Sequence, residues 1–149
     1  MNAVVQCVSD ASVEVDGACV GHISTGLCVL LGVAETDTDQ DAEWMAKKIA
    51  GLRVFPDEEG RTNLDLSAVD GKVLLVSQFT LLGDCSKGNR PSFVKAARPD
   101  TARRLYALVA EQLRNAHDLD VETGRFQEHM VVSLKNQGPF TVILDSAAR

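Results

Sequence analysis

Two polar interruptions in apolar runs carry the side chains with chemical potential. The first follows Val73-Leu74-Leu75-Val76, where the chain turns polar at Ser77-Gln78-Phe79-Thr80-Leu81. Hydroxyls at Ser77 and Thr80 and the amide of Gln78 supply donors and acceptors without fixed charge. With backbone N–H groups nearby, such a set could stabilise an oxyanion. The same residues also read as a strand end whose polar groups are solvated. The second interruption is Asn136-Gln137-Gly138-Pro139, between Met130–Lys135 and Phe140–Leu144. Proline cannot donate to a ladder and glycine reaches backbone angles closed to other residues. Residues 136–139 are therefore expected to leave the sheet as a stiff, exposed corner. That corner reads either as an ordinary hairpin turn or as a backbone device. The cis form at X-Pro costs only about 0.5–1 kcal/mol, so packing could lock it and aim two carbonyl oxygens at one point.

A conventional hydrolase needs a nucleophile, a base and an orienting group. The chain has no GxSxG elbow, and its histidines offer no obvious partner for Ser77 or Thr80. His22, His117 and His129 are scattered, with no pair at metal-ligand spacing. Cys7, Cys19, Cys28 and Cys85 show no CxxC spacing. The first three sit in apolar strand-like runs, as small buried thiols of a reducing compartment do. Lys87-Gly88-Asn89-Arg90-Pro91 offers a glycine and two cations that could grip phosphates, but Walker spacing is absent. No metal or cofactor is expected. If the chain is an enzyme, its power comes from positioning and electrostatics, with substrate or water supplying the reacting group.

The bulk composition narrows the class. At 149 residues, 45% hydrophobic and 24% charged, the chain reads as one soluble domain spanning 1–149. No apolar run is long enough to cross a bilayer, and the N-terminus lacks a basic region before an apolar core. A cytoplasmic protein is expected. The net charge of −6 argues against indiscriminate nucleic-acid binding, DNA included. The charge is uneven, however: Lys87, Arg90, Lys95, Arg98, Arg103 and Arg104 fall within 18 residues, with Asp100 the only acid among them. This stretch reads either as a local basic face for a polyanion or as a solvated loop and helix face.

The elements that must position these residues follow from periodicity. Residues 2–8 and 11–15 read as short strands, and Asp16-Gly17 marks a hairpin to a return strand at 18–23. Leu27–Val33 is apolar on both faces and is expected to be central. A helix is predicted over 38–52, capped by Thr38, with Ala42, Met45, Ile49 and Leu52 inward and Trp44 only loosely on that face. Arg53–Phe55 reads as a short strand and 56–60 as a polar turn. A second helix is predicted over 100–116, with Asp100 as cap and Ala102, Leu105, Val109, Leu113 and Ala116 inward. Residues 118–126 read as polar and turn-like. The reading amounts to an α/β fold of α+β type.

Taken together, Ser77-Gln78-Phe79-Thr80-Leu81 and Asn136-Gln137-Gly138-Pro139-Phe140-Thr141 resemble the Ser-Gln-x-x-Leu and Asn-x-Gly-Pro-x-Thr motifs of the D-aminoacyl-tRNA deacylases. Ala11-Ser12-Val13, Leu30–Val33, Leu52–Phe55, Lys87–Pro91 and Glu122-Thr123-Gly124 also sit where that family has them, so the resemblance covers essentially the whole chain. It implies a compact homodimer with a barrel-like, mostly antiparallel sheet and two main helices. It implies hydrolysis of the ester joining a D-amino acid, or glycine, to the terminal adenosine of tRNA.

The resemblance also implies roles. The Gly138-Pro139 bond would be cis and would reach into the other subunit's pocket, hold the α-amino group and reject L side chains. Backbone N–H groups around Phe79 and Thr80 would bind the oxyanion, while Ser77 and Gln78 shape the pocket and hold the adenosine. Lys87 and Arg90 would contact tRNA. Thr80 is either the nucleophile or structural, with the ribose 2′-hydroxyl assisting water; the lack of a visible base favours the second. Cys7 departs from the pattern, since arginine is usual there and a thiol lacks its several donors. Either another group holds the Gly-Pro loop or the loop is looser. The bulk of Phe140, where valine is common, could compensate. Two rival readings are a catalytically silent tRNA-binding module and a small-molecule esterase using Thr80.

Overall fold

One 14-residue strand, β1 (Asn2–Val15), is the spine of the computed structural model, which describes residues 1–149. Its buried side chains change phase part-way. Ala3, Val5 and Cys7 join one core, whereas Val8, Ala11 and Val13 join another on the opposite face. The change falls at Ser9-Asp10, where pairing with the last strand slips. A bulge turns side chains over without ending a strand. For this reason the pattern reads as two strands, 2–8 and 11–15, while the backbone forms one.

The first half of β1 pairs antiparallel with β3 (Gly26–Gly32), and its second half pairs with β2 (Ala18–Ile23). Asp16 and Gly17 both take positive φ in the β1–β2 turn, as the sequence leads one to expect. β6 (Lys72–Ser77) lies parallel to β3, and β7 (Val121–Thr123) parallel to β6. The sheet is mostly antiparallel, as expected, with two parallel pairings, β3–β6 and β6–β7. The reason is connectivity: α1 (Asp39–Gly51) lies between β3 and β6, and α2 (Pro99–Asn115) between β6 and β7. Parallel neighbours require such crossovers. The sheet curls into a nearly closed barrel, bringing β2 against β7; a Cβ on Gly21 would lie 2.9 Å from the carbonyl oxygen of Thr123.

Both helices cover one face of the sheet. Leu27, Val29, Leu31, Val73 and Leu75 point toward Ala42, Met45, Ile49, Leu105, Val109 and Leu113. Cys28, Leu74 and Val76 point the other way, into the curl with Val8, Ala11, Val13 and Ile23. β3 and β6 are thus buried on both faces, which explains their unbroken apolar runs. No helix is long and apolar enough to cross a membrane.

Several local expectations need correction. Thr38 does cap α1, its N–H and Oγ1 both donating to Asp41 at 2.8 Å. At α2 the cap is Arg98, because Pro99 already occupies the first turn and moves Asp100 inside it. Ala116 ends up exposed beyond the last turn, and Cys19 is exposed on β2. The predicted 53–55 strand is displaced to β4 (Phe55–Pro56), which pairs with β5 (Thr62–Leu64) after the polar turn. The stretch 118–126 contains β7, whose short length leaves no periodic signal.

The largest correction concerns residues 136–139. They do not turn the chain back; they lie within a single strand, β8 (Val131–Asp145), both halves of which pair antiparallel with β1. Asn136 faces Val8 and Thr141 faces Gln6, and the residues between have no partner on β1. They form a wide bulge with Gln137, Gly138 and Pro139 exposed, and the Gly138-Pro139 bond is cis.

Among the glycines the closest approach is at Gly26, where an added Cβ would fall 1.9 Å from the carbonyl oxygen of Lys72. Neither partner is a flexible side chain, so β3 and β6 must separate to admit a methyl. Gly26→Ala should lower stability by more than about 2 kcal/mol in urea unfolding. A loss below about 0.5 kcal/mol, the range of surface substitutions, would mean that the β3–β6 contact is not as tight as described.

Candidate functional site

Ser77 ends β6 at the point where it leaves the ladder, opposite Leu31 on β3. Gln78 N–H still donates to the Leu31 carbonyl at 2.8 Å, and Phe79–Leu82 then wind into a 3-10 turn. Phe79 and Thr80 open that turn, and leading N–H groups have no carbonyl of their own turn to donate to. The strand end does not dissolve into solvent. Ser77, Gln78 and Phe79 line a cleft of about 500 Å³ with Leu31, Tyr106 and Phe126 among its walls.

The cleft is chiefly apolar, which strengthens any dipole inside it. Phe79 is 56% exposed at the rim and meets Phe93 edge-on, ring centroids 5.1 Å apart. Tyr106 donates its hydroxyl to the Leu75 carbonyl at 2.7 Å. Burial pushes its phenol well above the ordinary tyrosine range, against an opposing effect of Arg114, so it stays neutral at working pH. Thr80 is exposed beside the cleft and does not line it. Its Oγ1 receives a hydrogen bond from the Gln78 amide. That partner is a donor and cannot act as a base.

No other strong base or nucleophile stands ready. His22 pairs with Asp10 at 2.7 Å on the exposed side of β1 and β2, while His117 and His129 belong to other loops. Burial pushes the Cys7 thiol up and that of Cys28 up to about 11, so both remain protonated and unreactive. No cluster of three or more His, Cys, Asp or Glu side chains could hold a metal ion.

Gly138 lines a separate cavity of about 520 Å³, with Cys7, Ser9, Thr25 and Phe55. The register sets the distance between the two motifs. Ser77 lies level with Leu31 and hence with Ala3 of β1, whereas Asn136 lies level with Val8. Five residues along the strands is about 17 Å, and three strand spacings add about 14 Å across them. Within one chain the two motifs do not meet.

The Gly-Pro bulge is nonetheless held. Asn136 accepts the Phe140 N–H at 2.6 Å and donates to Thr141 Oγ1 at 3.1 Å, and Gln6 donates to the same hydroxyl at 3.4 Å. Asparagine at 136 and threonine at 141 therefore close the bulge from both ends. Cys7 takes no part; its sulfur lies 3.9 Å from the Val54 carbonyl and is buried beneath. Gly138 has φ +131, and a Cβ there would come 3.0 Å from Phe140 N, so the position requires glycine.

The basic stretch is only partly free. Lys95 pairs with Asp84 at 3.3 Å and Arg104 with Asp39 at 2.7 Å, while Arg103 bonds Gln127 at 3.1 Å. Backbone and side-chain hydrogen bonds from Ser86, then Lys95, hold the Asp84 carboxyl down to about 2. Lys87 and Arg90 are exposed on the loop and line neither cavity. Sequence reasoning missed Tyr106, Phe126 and Gln127 as cleft walls. The one available signal was Phe126, a large aromatic in a stretch that otherwise reads as polar turn.

Comparison with known proteins places this geometry in a family. Residues 4–145 match the family described as D-Tyr-tRNA(Tyr) deacylase. A D-aminoacyl-tRNA deacylase of Thermotoga petrophila is 52% identical, covering 99% of this chain and 98% of that one. The protein of that name from Kosmotoga olearia is 55% identical over 98% of this chain and 97% of its own length. Among solved structures, one titled c-Myc DNA Unwinding Element Binding Protein superposes with a TM-score of 0.90 at 41% identity, covering 97% of this chain and 98% of that one. A probable eukaryotic D-amino acid tRNA deacylase has the same fold, with a TM-score of 0.84 at 16% identity and coverage of 96% and 97%. Two motifs in order, one in a cleft and one on an exposed bulge, with similarity running the length of the sequence, make this chain a member of the D-aminoacyl-tRNA deacylase family, hydrolases that act on aminoacyl-tRNA.

Proposed function

We propose that the protein hydrolyses the ester of D-aminoacyl-tRNA, and of glycyl-tRNA, within a homodimer in which Gly138 and Pro139 of one copy complete the cleft of the other. The observation that carries this reading is the separation of the two motifs. A cleft able to take an ester and a bulge that presents bare main chain lie well apart on one chain, and a second copy can unite them. The outer edge of β8 supports it: no strand of the same chain pairs there, and Ile143 is 76% exposed. An open edge with apolar side chains is a surface for self-association.

In this reading the ester carbonyl lies against the 3-10 turn. Water adds to the carbonyl carbon, and the N–H groups of Phe79 and Thr80 receive the charge that develops on oxygen. The bond to the ribose oxygen then breaks, that oxygen takes a proton, and free tRNA and the D-amino acid leave. The neighbouring 2′-hydroxyl assists the water. Ser77 and Gln78 hold the adenosine, and Lys87 and Arg90, the cations left unpaired on their loop, contact the tRNA.

Chirality is judged by exclusion. A thousandfold preference needs about 4 kcal/mol. A pocket that weighs side chains gains only about 1–3 kcal/mol per methylene. A wall of main chain that clashes with every L side chain is indifferent to which side chain is offered. It accepts many D-amino acids and leaves glycine unrejected.

Purified protein should release amino acid from D-aminoacyl-tRNA and glycyl-tRNA at least about a thousandfold faster than from the matched L ester, the scale on which exclusion operates. Equal rates on D and L esters would overturn the filter, and protection of all three esters would identify a silent binder. Hydrolysis of D-amino acid esters lacking RNA, at equal efficiency, would identify a small-molecule esterase. Thr80→Ala should keep kcat within about tenfold of the parent, since a positioning change of that order is about 1.4 kcal/mol. Abolished hydrolysis with tRNA binding intact would make Thr80 the nucleophile.

A further inference from the structure

We infer that Arg103 is a positioning residue of the cleft: it holds the loop that forms the cleft's far wall and is not part of the surface that grips RNA. The inference rests on the reading of this cleft as the seat of the aminoacyl end. Residues 124–130, between β7 and β8, have no helix or strand. Phe126 and Gln127 of this loop line the cleft together with Ser77, Gln78 and Phe79. Gln127 sits at φ +64, a conformation uncommon outside glycine and one that its surroundings must maintain.

Arg103, in the second turn of α2, provides that support in two ways. Its guanidinium carbon lies 4.7 Å from the centre of the Phe126 ring, and its Nη2 donates to Gln127 Oε1 at 3.1 Å. It makes the one side-chain hydrogen bond that reaches this loop from another element; the Arg125–Glu128 pair at 3.9 Å is internal to the loop. The ring of Phe126 in turn leans on Tyr106 at 6.0 Å, and Tyr106 is bonded to Leu75, two residues before Ser77. The wall is thereby referenced to the same strand that carries the reactive edge. An arginine suits this position because a flat guanidinium stacks and donates at once, which an ammonium does not match. The cation is occupied within the chain, as Lys95 and Arg104 are.

A comparison of two substrates separates a wall-positioning role from a phosphate grip. Arg103→Ala should lower kcat/KM about tenfold, about 1.4 kcal/mol, both on D-aminoacyl-tRNA and on a D-aminoacyl-adenosine that has no phosphates. The loss should not vary between low and moderate salt. Phe126→Leu should reproduce it, and Arg103→Ala combined with Gln127→Ala should be less than additive. Arg103→Lys should recover part of the activity on both substrates. A loss confined to full tRNA and steepened by salt would make Arg103 a phosphate contact and overturn the inference. So would unchanged kinetics with a lowered melting temperature. If the parent protein cleaves neither substrate, the functional reading fails first, independently of Arg103.

Discussion

The ladder between β1 and β8 is the constraint on which the rest depends. β1 is paired along both edges, with β3 and β2 on one side and β8 on the other, and its register with β8 shifts twice, between Gln6 and Val8 and between Val8 and Asp10. The first of these shifts is the unpaired segment of β8 between Asn136 and Thr141, opposite Cys7. Four residues, 137–140, are released from pairing with β1 while the strand continues past them, which yields an exposed piece of main chain anchored at both ends. The Asn136 carboxamide then closes the segment, meeting the Phe140 N–H and the Thr141 hydroxyl. The Gly-Pro step owes its placement to the sheet's geometry, and is held by the neutral side chains of Asn136, Thr141 and Gln6.

The cleft shows the same economy of charge. Its polar groups are the Ser77 hydroxyl, the amides of Gln78 and Gln127 and the leading N–H groups of a short turn, set among Leu31, Phe93, Tyr106 and Phe126. Buried thiols are held protonated, and the histidines lie elsewhere. In the function proposed for it, catalysis in such a place comes from dipoles fixed before the substrate arrives, so the walls that fix them matter as much as the donors. On the proposed reading the contacts Leu75–Tyr106–Phe126–Arg103 bear on function although none of these side chains is a nucleophile or a base.

Much of this was legible in the sequence, and the failures share a cause. The double-sided burial of Leu27–Val33 and Val73–Val76, the Asp16-Gly17 turn and the amphipathic stripes of both helices all followed from local pattern. Both motifs stood out because polar groups broke apolar runs. What did not show was long-range pairing. A bulge at Ser9-Asp10 looks like the gap between two strands, and a bulge at 136–139 looks like a turn, because periodicity records which face is buried and not which strand lies alongside. The cleft's far wall was hidden for a related reason: Phe126 and Gln127 come from a loop without period, and Arg103 looked like one more member of a basic face. Its engagement with that loop depends on how α2 and residues 124–130 pack.

The central claim is that handedness is judged by main chain donated from a second copy. Mixing tests it most directly: one chain carries a disabled cleft, Gln78→Ala, and the other carries a damaged bulge, Gly138→Ala, and the two are refolded together. If the bulge of each copy serves the cleft of the other, every mixed dimer contains one intact pairing, and D-over-L selectivity returns to the level of the parent in that fraction. If the mixture hydrolyses D and L esters no more selectively than the Gly138→Ala chain alone, each cleft is served by its own bulge and the account is wrong.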